Sequence, residues 1–293
     1  MLAGKSISAA LASLNVHEDF NYSKPEADTT LWFVHRQLAN GDLYFVNNRQ
    51  PRAESVEVSF RVTGRAPELW HADTGRIEPA SYRIVGERTI VPLHLESADA
   101  VFVVFRHQAL QAQRVIPELL RTPLLTLGNP WSVSFQSERG APAGEHIEQL
   151  SSWTKSAEPG IKYFSGTATY RQSLPVPASW FHTGQRLELD LGVVKNLAQV
   201  SLNGQSLGML WKAPFRIDVT SVLHTGANQI EIQVTNLWPN RMIGDKQPGA
   251  RAIAFSTFDP YQADSSLLES GLLGPVSLVG VRGAVANRKE RMP

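Results

Sequence analysis

Ser55-Val56-Glu57-Val58-Ser59-Phe60-Arg61-Val62 alternates strictly between polar and apolar side chains. Val56, Val58, Phe60 and Val62 fall on one side of an extended chain, and Ser55, Glu57, Ser59 and Arg61 on the other. A period of two is the mark of a half-buried strand, because successive side chains of a pleated chain point to opposite faces. Working outward, the same short alternation predicts strands at Leu31–Val34, Leu43–Val46, Tyr82–Val85, Thr89–Leu95 and Val101–Phe105. Turn chemistry separates them: Asn40-Gly41-Asp42, Asp73-Thr74-Gly75 and Gly86-Glu87. Many short strands joined by regular turns build a sandwich, not a helix-and-sheet fold. A first β-sandwich domain is predicted over 20–107.

The pattern resumes further on. Leu187, Leu189 and Leu191 alternate, as do Val200 and Leu202, and Asn203-Gly204 then supplies the strongest two-residue hairpin signal. Phe215, Ile217 and Val219 make another strand face, Ile230, Ile232 and Val234 another, and Val276 with Leu278 a closing one. A second sandwich, of jelly-roll size, is predicted over 131–282, with 137–144 as a polar loop. Between the two, Leu110, Val115, Leu119 and Leu120 suggest a helix that Pro117 and Pro123 interrupt, so 108–130 reads as a linker packed along a surface by its leucines. Ile7, Leu11 and Leu14 share one face of a short helix in an N-terminal segment, 1–19. Three aliphatics do not stabilise an isolated helix, so this face is expected to dock on something. The charged end, 283–293, reads as a frayed tail. The fold class predicted is all-β: two tandem β-sandwiches with a short N-terminal helix.

Composition excludes more than it assigns. Of 293 residues, 42% are hydrophobic and 19% charged, enough to bury real cores. The net charge of +1 gives no electrostatic case for nucleic acid or an anionic membrane. Cysteine is absent, which removes disulfides, thiolate metal sites and cysteine nucleophiles, and suits cytoplasm and periplasm equally. No apolar run approaches the roughly 20 residues of a membrane helix. Met1 to Leu14 carries only Lys5 as a positive charge and is broken by Ser6, Ser8 and Ser13, so it reads as part of the protein and not as a secretory signal.

The sequence holds no His-Glu-x-x-His pair, no Gly-x-Ser-x-Gly elbow and no phosphate-binding glycine loop. Its eight histidines lack metal-ligand spacing. A catalytic barrel needs some 250 residues of strand–helix alternation, and none is present. No catalytic residue is therefore assigned. The stretch that stands out is 207–247, where Trp211 and Trp238 lie beside Asn236, Asn240, Arg241 and Asp245. Aromatic faces stack on sugar C–H faces while amides and carboxylates read hydroxyl pairs, so this mixture fits a carbohydrate site. The alternative is structural: both tryptophans fill the sandwich core, and Arg241 with Asp245 forms a buried ion pair that fixes a loop. Tyr261, after Pro260 in a loop, is a further candidate ligand contact or a packing residue. His35-Arg36, near Asp42 and Tyr44, either reaches towards a neighbouring domain or closes a hairpin through an Arg–Asp bridge.

These residues carry a family likeness. The stretches 189–220, LDLGVVKNLAQVSLNGQSLGMLWKAPFRIDVT, and 226–238, GANQIEIQVTNLW, resemble the galactose-binding-like jelly-roll domain of β-galactosidase-type glycoside hydrolases. More closely, FVHRQLANGDLYFVNN (33–48), FRVTGRAPELWHADTGRI (60–77), GIKYFSGTATYRQ (160–172), NLWPNRMIGD (236–245) and SGLLGPVSLV (270–279) resemble the C-terminal portion of bacterial α-L-rhamnosidases of glycoside hydrolase family 106. The resemblance spans about 1–282. It implies a galactose-binding-like second domain and a family that removes terminal α-linked L-rhamnose by inverting hydrolysis. It also implies glutamate acid and base residues on a barrel that precedes this region, with calcium at the sugar site. None of those glutamates or calcium ligands maps onto a position here. The expectation is an accessory, non-catalytic region that supports the catalytic barrel and contacts a rhamnose-containing glycan. A free-standing carbohydrate-binding module and a purely structural scaffold are the alternatives.

Overall fold

A computed structural model describes residues 6–14, 16–128 and 130–283. The chain forms two units, Met1–Pro117 and Glu118–Pro293. Most of the tail expected over 283–293 lies outside the described residues.

The first unit is built from two five-stranded antiparallel sheets. One runs in the order Phe20–Tyr22, Glu54–Phe60, Arg88–Leu95, Tyr82–Val85, Gln113–Arg114, the other Leu31–Leu38, Gly41–Asn48, Ala100–Gln108, Arg65–Trp70, Ile77–Pro79. The alternation at 55–62 does what its period requires: Val56, Val58, Phe60 and Val62 are all buried in one core with Tyr44, Val46, Val103 and Phe105. Tyr44 and Phe60 meet edge to face at 4.8 Å, and Phe60 and Phe105 at 5.3 Å. Such pairs add roughly 0.5–1.5 kcal/mol each beyond the area they bury.

The second unit is a four-stranded sheet and a six-stranded sheet enclosing a separate core, with a small ribbon, Val193–Lys195 with Gly271–Gly274, at the side. The four-stranded order is Leu119–Thr126, Ser277–Gly283, Arg186–Asp190, Arg216–Asp218. The six-stranded order is Gly144–Ile147, Trp131–Phe135, Thr167–Val176, Gly226–Thr235, Leu197–Leu202, Gln205–Leu210. Leu187, Leu189 and Leu278 pack from one sheet against Ile230, Ile232 and Val234 of the other. Asn203-Gly204 forms the hairpin between Leu202 and Gln205, and both turn residues have positive φ, 53° and 79°. That twist matches the flanking strands, and asparagine and glycine accept it at least cost.

The linker expected at 108–130 is corrected. Gln113–Arg114 pairs with Tyr82 and Arg83 and completes the first sandwich, and Leu119–Thr126 pairs with Ser277–Gly283 to open the second. Proline forbids a helix there but not an edge strand. Leu119–Thr126 is the outermost strand of its sheet, and the register shifts between Pro123 and Leu125, where the missing N–H breaks no ladder. The N-terminal helix is present at Ile7–Ser13, with Ser6 Oγ accepting the Ala9 N–H, and its face of Ile7, Leu11 and Leu14 stays on the surface. Among the described residues no helix is long and apolar enough to cross a membrane.

Two buried phenols make stability depend on alkaline pH. Tyr170 sits in the second core, where its hydroxyl accepts from Trp153 Nε1–H at 2.6 Å and Leu272 N–H at 3.2 Å. Burial pushes this phenol from 10.0 up to about 12, against the pull of those two donors. Burial, followed by the charge of Asp19, pushes Tyr44 up in the first core. The unfolded phenol ionises first, so the stability these groups contribute is complete below about pH 10 and is lost as pH rises through the folded values. Tyrosinate absorbance and near-ultraviolet dichroism should therefore show these phenols ionising together with loss of tertiary structure. Ionisation of every tyrosine while the dichroism persists would contradict this.

Candidate functional site

The register of the six-stranded sheet defines one end of the second sandwich. Phe135, Ala168, Val234, Ala198 and Leu210 stand in a single row across five strands. Just beyond that row the chain leaves the sheet at Gln136, Asn236 and Trp211 and enters it at Gly166 and Asn196. Trp211 and the segment 236–245 therefore emerge from the same end of the sheet.

Both tryptophans are on the surface: Trp211 is 58% exposed and Trp238 48%. This corrects the core-filling alternative. Trp238 follows the strand Gly226–Thr235, which buries Ile230, Ile232 and Val234, and Trp211 follows the outermost strand Gln205–Leu210, whose Leu207 and Leu210 are only partly buried, so each tryptophan lies past the end of its strand. The Arg139 guanidinium lies 5.0 Å from the Trp238 ring centroid and covers part of it.

The polar residues around them are committed to backbone. Asn236 Oδ1 accepts Gly166 N–H at 2.9 Å, and its Nδ2 donates to Phe164 O at 2.8 Å. Asn240, on the helix Pro239–Asp245, donates to Leu268 O at 2.7 Å and accepts Leu268 N–H at 2.8 Å. Arg241 Nε donates to Asp245 Oδ1 at 2.8 Å in a nearly buried pair one helical turn apart. The second oxygen, Asp245 Oδ2, accepts the N–H groups of Ile253 and Ala254 at 2.9 and 2.7 Å. Gly244 lets this helix close on the chain behind it, since a Cβ there would come within 2.5 Å of Tyr163 Cβ. The loop-fixing alternative for Arg241 and Asp245 thus describes the arrangement. The engaged groups of Asn236, Asn240, Arg241 and Asp245 hold the loop that carries Trp238.

Tyr261 is half-buried, and its N–H donates to Asp259 Oδ1 at 3.2 Å. Lys246 lies 2.9 Å from Asp259, and its hydrogen bond holds that carboxyl below the usual range. Lys195 and Glu269, 3.8 Å apart, are further polar groups of this unit. Phe255 and Phe258 stand exposed on the long segment that Asp245 tethers. The sequence reading singles out neither phenylalanine, nor Arg139. The available signal was an aromatic pair in a stretch without periodicity, Phe255-Ser256-Thr257-Phe258.

In the first unit the hairpin is closed by His35, not Arg36. His35 Nδ1 lies 2.8 Å from Asp19 Oδ2 and Nε2 3.0 Å from Asp42 Oδ1, with the ring stacked on Tyr44 at 4.0 Å. The register explains the correction: His35 pairs with Tyr44 and shares its face with Asp42, while Arg36 points to the other face and is exposed. Both ring nitrogens of His35 are occupied within its own unit.

Residues 1–84 match a family model described as alpha-L-rhamnosidase. The solved structure of a rhamnosidase from Novosphingobium sp. PP1Y is 45% identical and superposes with a TM-score of 0.86, covering 94% of this chain and 26% of its own. The chain is α-L-rhamnosidase-like. Residues 155–263 of this rhamnosidase-like chain match a model described as a glycosyl hydrolase 2 galactose-binding domain-like domain, a range that contains Trp211, the helix Pro239–Asp245 and Tyr261. A protein of Formosa agariphila named "Putative beta-glucuronidase" is 39% identical over 284 residues, 84% of this chain and 24% of that protein. The chain thus spans about a quarter of the length of these relatives. The two relatives carry names of enzymes for different sugars.

Calcium, which the family resemblance implies, takes six to eight oxygen ligands. Among the described residues no group of three or more histidine, aspartate or glutamate side chains converges as a metal site. No step runs through the cation.

Proposed function

We propose that this chain is the accessory, non-catalytic region of an α-L-rhamnosidase-type glycoside hydrolase. A catalytic barrel, in the same polypeptide or a neighbouring one, docks on it and carries the acid, the base and any calcium. The observation that carries this reading is apolar surface left open within the rhamnosidase-matching residues. Ile7 is 81% exposed and Trp32 62%, and Trp32-Phe33-Val34 is a continuous exposed run on an outermost strand. An edge strand normally guards itself with charge or proline; here charge enters at Arg36 and at Arg49, 4.1 Å from the Trp32 ring centroid, while the apolar run itself stays exposed, as a docking surface does. A scaffold of this kind contributes to rate by fixing the position of substrate and catalytic groups.

The exposed rings of Trp211 and Trp238 support a second role, stacking on a rhamnose-containing glycan. The loop that carries Trp238 is held by buried hydrogen bonds, so that ring is presented in a fixed position. Calorimetric titration with L-rhamnose and D-galactose tests this. Trp211→Ala and Trp238→Ala should weaken the heat of sugar binding while leaving the unfolding temperature within a few degrees of the parent. Unchanged sugar binding in both variants would remove the stacking role and leave the scaffold reading alone. Tight glycan binding without any barrel would favour a free-standing binding module.

A further inference from the structure

Arg241 is only partly used by the loop it anchors. A guanidinium carries five N–H donors in a fixed fork. Arg241 spends Nε–H on Asp245 Oδ1 at 2.8 Å, and its side chain is 6% exposed. Nη1 and Nη2 bond to no acceptor among the described residues. Asp245 directs its other oxygen to the N–H groups of Ile253 and Ala254. Nearly buried donors are almost always hydrogen-bonded, so the idle ones on Nη1 and Nη2 call for an acceptor from outside the chain. Water would serve a lone arginine. A second guanidinium beside it selects an anion.

That second guanidinium is Arg139. Gly140, the next residue, lies against Arg241, since a Cβ there would stand 3.2 Å from Nη1. The chain turns sharply at this point, with φ of 61° at Glu138 and 87° at Gly140. Glu138 stands exposed, while Arg139 is half-buried and its guanidinium lies 5.0 Å from the Trp238 ring centroid. No carboxylate among the described residues pairs with Arg139. The two acidic residues nearest in this part of the chain are accounted for: Glu138 faces solvent, and Glu158 Oε1 accepts Gly160 N–H at 3.2 Å. Asp245 balances Arg241, so Arg139 is left as the uncompensated cation beside a ring that is 48% exposed. The ring offers a face for sugar C–H groups, and guanidinium forks match the planar, two-oxygen edge of a carboxylate. We propose that the Trp238 site takes an acidic sugar, a hexuronate unit of a glycan. Its ring stacks on Trp238, and its carboxylate is held by Arg139 with Arg241 Nη1 as a further donor. This specificity rests on the stacking role of Trp238 and adds a charge requirement to it.

Calorimetric titration and amide chemical-shift mapping of the full chain test it, with D-glucuronate and D-galacturonate set against D-glucose, D-galactose and acetate. At least one uronate should bind about tenfold or more tightly than its neutral counterpart, the gain of one charge-assisted hydrogen-bonded pair. It should shift amides within 136–141 and 236–245. Acetate, a carboxylate without a ring, should bind more weakly than that uronate. Arg139→Gln should weaken uronate binding by about tenfold and leave neutral-sugar binding unchanged. Arg139→Lys, which keeps the charge and loses the fork, should fall between and serves as the second variant should Arg139→Gln not fold. A neutral sugar bound as tightly as its uronate, or a uronate preference that survives in folded Arg139→Gln, would overturn the charge requirement and leave stacking on Trp238 standing. Acetate bound as tightly as the uronates would also overturn it, as a bare anion site. Binding of no sugar at all would remove both.

Discussion

Asp245→Ala is expected to destabilise the second unit by about 3–5 kcal/mol, the cost of stranding one half of a buried ion pair. The Arg241 and Asp245 side chains are only 6% and 8% exposed, so loss of the carboxylate leaves the guanidinium with little water to replace it. The same substitution takes the acceptor from Ile253 and Ala254, two N–H groups that anchor the long loop before Leu268. For a unit of this size the loss corresponds to a fall in Tm of roughly 6–20 °C. The double replacement Arg241→Met with Asp245→Leu should recover part of it, since apolar side chains of similar volume remove both charges together. It should not restore the loop, whose two N–H groups still lack their acceptor. Urea unfolding of the parent, single and double variants reads these effects. An Asp245→Ala variant within about 1 kcal/mol of the parent would show that the pair does not hold this end of the sandwich together.

Trp131→Ala should cost about 3–5 kcal/mol, as for other large aromatic truncations in a packed core. Trp131 is completely buried and meets Tyr170 edge to face at 6.3 Å. The comparison that matters is with Trp211→Ala, which removes the same side chain from a position past the end of its strand. There the stability change should stay within about 0.5 kcal/mol. Trp238→Ala should fall between, because the Arg139 contact contributes roughly 0.5–1 kcal/mol at an exposed site. Denaturant midpoints for the three variants order them directly. A large loss for Trp211→Ala would return that ring to a structural role and weaken the stacking proposal.

Local chemistry made most of the fold legible. The period of two at 55–62 can be satisfied only by a pleated strand with one face buried, and Asn203-Gly204 by a turn with positive φ. The misreading of 108–130 came from treating Pro117 and Pro123 as punctuation. Proline excludes helix, but whether it also excludes strand depends on whether the strand lies at an edge, which is a property of the whole sheet. The site was legible only in part. Its residue types suggested sugar recognition, and the four-residue spacing of Arg241 and Asp245 suggested an ion pair. The duties of Asn236 and Asn240 depend on Phe164, Gly166 and Leu268, distant in sequence, and nothing local to the asparagines points to them. Exposure of Trp211 and Trp238 is hidden for the same reason, since the last core position of a strand is set by its neighbours in the sheet.

Turnover of an aryl α-L-rhamnoside by the purified 293-residue chain, with calcium supplied, bears most directly on the scaffold account. The account predicts a rate indistinguishable from buffer, because it assigns the acid–base pair to a separate barrel and only docking and stacking to these residues. Sustained turnover that copurifies with the folded chain would place the catalytic groups within these residues and contradict it.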